Sequence, residues 1–271
     1  MKISNGVKYP SYLNLSQKEI ESRIDAAYKL LRSCQVCPRK CGTGRLKNKR
    51  GFCHLGVKAM VSSAGPHFGE ERYLVGRGGS GTIFFTYCNL ACVYCQNYDI
   101  SQFGAGREVS EEELARMMIG LQRMGCHNIN LVTPTSQVPQ ILAALPYAIK
   151  GGLKVPLVYN TNGYDSLEIL KLLDGIVDIY MPDFKYSDDK VAIKYSQAPD
   201  YFEIAKKAIS EMYRQVGDLK IVDCLRPGPE GKMQIENLEI PRGVAIRGLL
   251  VRHLVLPNNF LNEIGDSYHI F

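Results

Sequence analysis

Three cysteines in one short run constrain this chain more than any other feature. Cys88, Cys92 and Cys95 are spaced by three and two residues, and they follow directly on the β-rich segment Thr82–Tyr87. Three thiolates at these spacings, in a loop after a strand of a parallel sheet, can hold one cubane iron–sulfur cluster and leave its fourth iron without a protein ligand. The pattern therefore predicts a [4Fe–4S] cluster whose open iron binds a small chelating molecule. The alternatives are a zinc knuckle that lacks one ligand and three unrelated buried thiols.

A second group of cysteines lies near the N-terminus, in a segment (residues 34–54) that we call the head. Cys34, Cys37, Cys41 and Cys53 follow the pattern C-x2-C-x3-C-x11-C, in a Gly- and Lys-rich stretch without hydrophobic periodicity. Such a stretch needs a bound ion for its order, and four thiolates suit zinc or a second iron–sulfur cluster equally well. His54 is a substitute ligand, and a head without metal is the remaining reading.

The composition favours a reducing compartment. Nine cysteines in 271 residues are too few for a disulfide scaffold, and their clustering is typical of metal ligands in a reducing environment. No stretch approaches the roughly 18 consecutive apolar residues that span a bilayer, and the first residues have no signal-peptide layout. We therefore expect a cytoplasmic protein without a membrane partner.

Short β-rich runs alternate with helical patterns after the head. The predicted strands lie near Thr82–Thr86, Ile129–Val132, Val155–Tyr159, Ile176–Met181 and Leu249–Leu256. The predicted helices cover Ser16–Leu31, the segment from Ser110 to Met124, Val138–Ile149, a segment that Asp165 opens, and Pro199–Val216. Ser110 with Glu113, and Asp165 with Glu168, read as capping boxes at two of these helix starts. This order predicts a parallel sheet with right-handed crossovers and reacting groups at the carboxyl ends of the strands.

Only fourteen residues follow Pro257, too few for another helix and strand. The fold class predicted is therefore α/β, an open, partial TIM-like β/α barrel with about five parallel strands. The segments Leu219–Val222 and Val244–Ile246 predict an antiparallel excursion around Arg226–Pro229 before the last main strand. We expect two domains, an N-terminal helix with a four-cysteine metal module (residues 1–75) and the barrel (residues 76–271).

From Cys34 to about Pro257 the chain resembles the radical S-adenosylmethionine (SAM) enzymes. Their signature is C-x3-C-x-aromatic-C, in which Tyr94 is the aromatic residue here and, by the resemblance, a cofactor-binding candidate. Within that superfamily the chain is most similar to an uncharacterised subgroup that resembles pyruvate formate-lyase activating enzyme. The resemblance implies that SAM binds the open iron, and that one-electron cleavage of the sulfonium yields a 5′-deoxyadenosyl radical for hydrogen abstraction. It also implies a low-potential electron donor such as flavodoxin or ferredoxin.

The resemblance extends to the ends of three further strands. Thr133-Pro134-Thr135 stands where activating enzymes have a Gly-Gly-Glu segment that grips the methionine amino group through its backbone, so Thr133 and Thr135 become cofactor-binding candidates. Asn160-Thr161-Asn162-Gly163 is similar to the family's Asp-Thr-Asn-Gly. Met181-Pro182-Asp183-Phe184-Lys185 is similar to Met-Leu-Asp-Leu-Lys.

By the same carry-over, oxygen donors at two strand ends hold a monovalent cation near the methionine carboxylate. The residues in question are Asn160, Thr161, Met181 and Asp183. Lys185 is expected to reach a ribose hydroxyl or the carboxylate, with a solvated lysine as its alternative. Arg252, in an apolar run, matches a strand-borne arginine of the family and needs an anionic partner such as that carboxylate.

Several functions remain open at this point. The family name implies activation of a glycyl-radical enzyme, whereas modification of another peptide or of a small metabolite is the alternative within the class. The short C-terminus also allows a catalytically impaired member. Residues 1–50 carry 12 Lys+Arg against 3 Asp+Glu, so a metal-stabilised nucleic-acid-binding protein is the reading from another class. Few aromatic residues are interleaved with these charges for base stacking, which makes a nucleic-acid partner the weaker expectation.

Overall fold

The computed structural model describes residues 8–222, 232–235, 238–241 and 243–255. The turn predicted around Arg226–Pro229, and Leu256 with everything after it, lie outside these ranges. No helix in the described ranges combines the length and the apolar character that crossing a membrane would require.

One eight-stranded sheet forms the centre of the molecule. Its strands are β1 (Ala59–His67), β2 (Ser80–Phe85), β3 (Arg107–Val109), β4 (Ile129–Val132), β5 (Leu157–Thr161), β6 (Ile179–Pro182), β7 (Lys220–Ile221) and β10 (Ala245–Leu249). Two further strands, β8 (Lys232–Ile235) and β9 (Leu238–Pro241), pair only with each other. The order in the large sheet is β3-β1-β2-β4-β5-β6-β10-β7, so the described sheet is open.

Eight α-helices accompany these strands in the described ranges. They are α1 (Gln17–Lys29), α2 (Arg72–Val75), α3 (Tyr98–Ser101), α4 (Glu111–Arg123), α5 (Val138–Lys150), α6 (Leu167–Leu172), α7 (Asp189–Ser196) and α8 (Tyr201–Val216). Capping boxes start α1 at Ser16 and α4 at Ser110, where the serine side chain accepts a hydrogen bond from the third helical N–H and a glutamate bonds back. Three short 3-10 helices cover Ser11–Asn14, Arg45–Lys47 and Thr135–Gln137.

The prediction of five parallel strands is confirmed. β2, β4, β5, β6 and β10 pair in parallel in that order, each joined to the next by a crossover. One face of the sheet packs on α1, α4, α5, α6 and α8, in a continuous apolar core. The opposite face is narrower and includes the buried side chains Val158, Ile179 and Met181 with Leu74 of α2. This architecture is a mixed α/β fold with a largely parallel, open sheet, consistent with a partial radical SAM barrel.

Three local predictions are corrected. Asp165 does not cap α6, because its carboxylate accepts hydrogen bonds from Tyr159 and Thr161 inside the protein, and Ser166 takes the N-cap position without a side-chain bond. The last parallel strand was predicted at Leu249–Leu256, but β10 ends at Leu249. The segment Val244–Ile246, predicted as part of an excursion, contains the beginning of β10. β7 does pair with it in antiparallel fashion, as predicted.

The sequence reading did not include the antiparallel strands β1 and β3. β1 pairs with β2 along Val61–His67, and β3 pairs with the start of β1. The residues of β1 thus extend the barrel sheet, although they precede the predicted domain boundary at residue 76. The boundary itself stays a prediction.

Candidate functional site

The three-cysteine motif lies in a loop (residues 86–97, the cluster loop) at the carboxyl end of β2. Tyr87 adopts a left-handed backbone with φ of 61°, which turns the chain out of the strand. Two backbone N–H groups of the loop, at Ala91 and Val93, donate to the carbonyls of Ser196 and Tyr195 at 3.0 and 2.9 Å. The end of α7 therefore fixes the cluster loop although it lies far along the chain from it.

Each motif sulfur has a polar side chain from another part of the fold beside it. Asn162, after β5, donates its amide N–H to Cys88 Sγ at 3.2 Å. Ser196, fully buried at the end of α7, donates its hydroxyl to Cys92 Sγ at 2.9 Å. Ser101, at the end of α3, has its Oγ 3.2 Å from Cys95 Sγ. Donors in these positions stabilise thiolates, because each N–H or O–H directs its partial positive charge at the negatively charged sulfur.

A hydroxyl chain continues from Cys92 away from the motif. Tyr186 Oη lies 2.6 Å from Ser196 Oγ, and the hydroxyls of Tyr94 and Tyr186 are also hydrogen-bonded to each other. Because a thiolate can only accept, Ser196 donates to the sulfur and accepts from Tyr186. Tyr94, predicted to bind the cofactor, is thus tied to the sulfur network of its own loop.

Burial and mutual repulsion oppose ionisation of the free thiols. Burial and the neighbouring Cys92 raise the pKa of Cys88 to about 12, and burial raises the pKa of Cys92. Hydrogen bonds from Asn162 and Ser196 act in the opposite direction. A bound metal group removes this penalty, because its positive charge replaces the thiol protons.

Charged side chains meet at the carboxyl ends of β5, β6 and β10. The Asp183 carboxylate accepts from Lys185 Nζ at 2.7 Å and from Arg252 Nε at 3.0 Å, and Arg252 Nη2 donates to Asn160 Oδ1 at 2.7 Å. Burial lowers the pKa of Lys185, but the charges of Asp183 and Cys92 outweigh burial and hold it above its usual value. The structure thus brings together four residues that the sequence assigned to cofactor or cation binding.

Glu70 joins this charged group and was missed by the sequence reading. Its carboxylate lies 3.7 Å from Arg252 Nη1 and 3.5 Å from Asn160 Nδ2. It follows β1, a strand that the sequence did not predict, so no pattern placed it beside Asn160. The side-chain oxygens of Asp183 and Asn160, which would be the cation ligands, already accept hydrogen bonds from the cationic side chains of Lys185 and Arg252. The monovalent-cation site stays a prediction.

The remaining predicted residues lie at or near the same edge but face different surroundings. Thr133 has a left-handed backbone with φ of 60° just after β4. Thr135 and Thr161 are buried with their hydroxyls 3.0 Å apart, and Thr161 donates to the buried Asp165 at 2.6 Å. The Met181 side chain is fully buried in the apolar group with Leu74, so only its carbonyl is available as an oxygen ligand.

The head lies directly against the cluster loop. A cavity of about 400 Å³ is lined by Phe52 and His54 from the head and by Tyr87, Cys88 and Ser101 from the loop region. Arg39 bridges the two segments, because its guanidinium donates to the carbonyls of Asn89 and Gln197 while it stacks on Phe52 at 3.4 Å from the ring centroid. The predicted iron–sulfur group would bind beside this cavity, where polar side chains support the three motif thiols.

The four head cysteines are free thiols. Cys34, Cys37 and Cys53 are buried and Cys41 is exposed. Burial, together with the charges of the other three, raises the pKa of Cys37 to about 12. For Cys41, burial is outweighed by hydrogen bonds from Thr43, and its pKa is lowered. Among the described residues, no three His, Cys, Asp or Glu side chains are grouped so that they could hold a metal ion. This holds for the cysteines of the head and for those of the cluster loop.

Comparison with known proteins identifies the family. The sequence model of the Radical SAM superfamily matches residues 82–228, just over half of the 271-residue chain. An uncharacterized protein of Methanocaldococcus jannaschii is 34% identical over 197 residues, covering 69% of this chain and 56% of that protein. A second uncharacterized protein of the same organism is 27% identical over 181 residues, covering 58% of this chain and 50% of its own length. The chain thus spans about half the length of these relatives. With its three-cysteine motif in the matched region, the chain belongs to the radical SAM superfamily.

Proposed function

We propose that this chain is an iron–sulfur enzyme that cleaves SAM reductively to abstract hydrogen from an unreactive carbon. Family membership implies a [4Fe–4S] cluster and SAM. The observation that carries the proposal is the support of the three motif thiols by Asn162, Ser196 and Ser101, each from a different element. When bound, the cluster and SAM supply a 5′-deoxyadenosyl radical by one-electron cleavage of the sulfonium.

The chain's own residues then have defined tasks. The three donors hold the thiolates in place and stabilise the negative charge that reduction adds, since hydrogen bonds to cluster sulfurs raise the reduction potential. The end of α7 keeps the loop backbone rigid through Ala91 and Val93. A rigid loop would hold a bound cluster in one orientation, which would favour a single productive geometry for SAM.

The charged strand ends suit the amino-acid part of SAM. Its carboxylate would pair with Lys185 and Arg252, and its ammonium group with Glu70 or Asp183, because each group then meets the opposite charge. The family resemblance keeps Tyr94, Thr133, Thr135 and Thr161 as further binding candidates, although the side chains of Thr135 and Thr161 are buried. The alternative occupant is the monovalent cation predicted at Asn160, Thr161, Met181 and Asp183.

The substrate proposal rests on the resemblance to pyruvate formate-lyase activating enzyme. On that basis the radical acts on a glycyl-radical enzyme, with another peptide or a small metabolite as the alternative. Flavodoxin or ferredoxin would supply the electron. In the head, Arg45 is buried and Arg39 is half-buried, and both donate to backbone carbonyls, which leaves fewer cations for a nucleic-acid phosphate backbone.

Anaerobic reconstitution with iron and sulfide, followed by dithionite and SAM, tests the function. The intact chain should form 5′-deoxyadenosine, measured by chromatography. Cys92→Ala removes one of three cluster ligands and the acceptor of the Ser196 hydroxyl, so we expect product formation to fall at least about a thousandfold, to background, since the cofactor carries the chemistry.

Cys126→Ala provides the matched control. Cys126 is also buried, but its sulfur lies near the Gly78 carbonyl and away from the motif. This variant should retain product formation. Undiminished 5′-deoxyadenosine from Cys92→Ala would contradict the assignment of the cluster to this loop.

A further inference from the structure

One buried tyrosine links the two chain segments that follow β5 and β6. Tyr201 Oη donates to the Asn162 carbonyl at 2.8 Å, and the Asp183 carbonyl lies 3.0 Å from the same hydroxyl. The hydroxyl also accepts a hydrogen bond from the Lys185 backbone N–H at 3.0 Å. A single side-chain oxygen therefore joins both segments after their strands end, and we call this set of three contacts the hydroxyl bridge.

The Tyr201 ring is held in place by its surroundings. Tyr201 is the first residue of α8, and its side chain is fully buried. The ring stacks on that of Tyr164, with the centroids 6.0 Å apart, and it meets the Tyr186 ring edge-on at 5.3 Å. The start of α8 is itself anchored, because Phe202 N–H donates to the Asp189 carboxylate at 3.0 Å. Close packing on several sides leaves the hydroxyl little freedom to move relative to the sheet.

A glycine lets the two segments approach closely enough for the hydroxyl bridge. Gly163 has a left-handed backbone with φ of 79°, and a Cβ there would lie 2.3 Å from the Asp183 carbonyl and 3.2 Å from Tyr201 Oη. Any larger residue at this position would push apart the groups that the tyrosine joins. The close approach of the segments and the hydroxyl bridge between them therefore depend on the same glycine.

The two bridged segments carry different parts of the candidate site. After β5, the Asn162 side chain donates to Cys88 Sγ in the cluster loop at 3.2 Å. After β6, Lys185 Nζ donates to the Asp183 carboxylate at 2.7 Å, within the charged group proposed to meet the amino-acid part of SAM. A SAM molecule at the proposed site would meet both parts at once. Because a productive site tolerates errors of only about 0.5 Å, the spacing between the two segments matters for the reaction.

We propose that Tyr201 is a positioning residue that sets the spacing between the cluster thiols and the charged group at the end of β6. This inference rests on the proposed function. Among the described residues, the hydroxyl bonds backbone groups alone, so it acts through Asn162 on one side and through Lys185 on the other. Loss of the hydroxyl should therefore change two properties together, the reduction potential of the cluster beside Cys88 and the affinity for SAM. A tyrosine that served stability alone would change neither property.

Hydrogen exchange in the metal-free protein tests the hydroxyl bridge itself. Tyr201→Phe removes the hydroxyl and keeps the packed ring, so the variant should fold. The Lys185 amide loses its acceptor in this variant and should exchange at least about tenfold faster, read by NMR. Tyr213→Phe is the matched control, because Tyr213 is exposed on the same helix and its hydroxyl contacts Asp218. The control should exchange as the parent does, and an unchanged Lys185 rate in Tyr201→Phe would overturn the proposal.

Two measurements on the reconstituted protein test the positioning role. In Tyr201→Phe, the Kd for SAM, measured by anaerobic equilibrium dialysis without reductant, should rise about tenfold, as the loss of one well-placed hydrogen bond allows. The reduction equilibrium constant of the cluster should fall about threefold, because the Asn162 donor is less well placed against the sulfur. Tyr213→Phe should change neither value. Faster exchange at Lys185 with both values unchanged would make Tyr201 a structural residue and overturn the proposal.

A double-mutant cycle tests the route through Asn162. Asn162→Ala removes the amide that donates to Cys88 Sγ and keeps the carbonyl that Tyr201 bonds. Adding Tyr201→Phe to it should lower the reduction equilibrium constant by less than about twofold further, while the Kd for SAM should still rise through the loss at Lys185. A further threefold fall would overturn the coupling through Asn162. A parent chain that takes up no cluster would overturn the proposed function and the positioning role with it, whereas the Lys185 exchange rate would still show whether the hydroxyl bridge exists.

Discussion

The cluster loop and the head present cysteines in opposite ways. In the loop, three thiols follow one strand within eight residues, and β5, α3 and α7 each supply a donor to one sulfur. In the head, four thiols are spread over twenty residues of irregular chain, and Arg39 and Arg45 of the same segment donate to backbone carbonyls of other parts of the fold. Elements of the fold support the thiols of the first site, whereas we predict that the second depends on a bound metal for its order. Pre-formed ligands favour a fixed geometry, and ligands that fold with the metal couple stability to metal content.

Metal removal should separate the two regions most strongly. After anaerobic chelation, we expect backbone amides of the head to exchange hydrogen at least about a hundredfold faster, the factor lost when a group present at about 100 times its Kd is removed. The amides of Ala91 and Val93, bonded to α7, should change less than about tenfold because α7 keeps holding them. Hydrogen exchange read by mass spectrometry measures both. Equal protection of the head before and after chelation would show that protein contacts alone order it.

Loss of a donor should have an intermediate effect, confined to the cluster loop. Ser196→Ala removes the hydroxyl that donates to Cys92 Sγ at 2.9 Å. Reduction adds negative charge, which that donor stabilises, so its loss should lower the midpoint potential. We expect a roughly tenfold fall in the reduction equilibrium constant, about 59 mV for one electron, in a titration followed by paramagnetic resonance.

Ser210→Ala is the control for that measurement. Ser210 bonds only the Lys206 carbonyl of its own helix, on an exposed surface. The midpoint potential measured for Ser210→Ala should equal that of the parent protein. An unchanged potential in Ser196→Ala would mean that the hydroxyl positions the loop without acting on the charge of the sulfur.

Alanine substitutions at two glycines, one beside each region, compare how far each region tolerates an added Cβ. The smaller loss of stability is expected in the head. A Cβ at Gly163 would lie 2.3 Å from the Asp183 carbonyl, at φ of 79°, whereas a Cβ at Gly51 would lie 2.7 Å from Cys41 Sγ. Gly163→Ala should destabilise the metal-free protein by about 2 kcal/mol or more, because backbone cannot yield and the left-handed conformation adds its own cost. Gly51→Ala should leave that stability within about 0.5 kcal/mol, since a free cysteine can rotate.

For metal retention by the head, the order of the two variants should be reversed, with the larger effect in Gly51→Ala. If the head binds the predicted metal, a metal-bound Cys41 cannot rotate away, so Gly51→Ala should weaken metal retention by the head about threefold, measured as the rate of loss to a chelator. Gly163→Ala should leave that rate unchanged. Identical metal loss in Gly51→Ala and the parent would remove Cys41 from the predicted ligand set.

Much of the fold followed from local patterns. The Ser110–Glu113 capping box and the parallel strands at β2, β4, β5 and β6 correspond to hydrophobic runs that are legible without any tertiary contact. The Asp165–Glu168 pattern had the same form, yet Asp165 bonds buried hydroxyls instead of capping α6. A buried carboxylate gains more from two hydroxyl donors in the interior than from an exposed helix end, and sequence spacing does not register that difference.

The sequence by itself predicted the chemistry of the motif, because three thiols at these short spacings are the signature of the superfamily to which the chain belongs. It also predicted the five parallel strands and the main helices between them, since periodicity is a local property. Only the tertiary structure decided which side chains face the sulfurs. Ser196 and Glu70 come from an irregular helix end and from the chain after an unpredicted edge strand, and their contacts with Cys92 and Arg252 exist only because the sheet order brings distant segments to one edge.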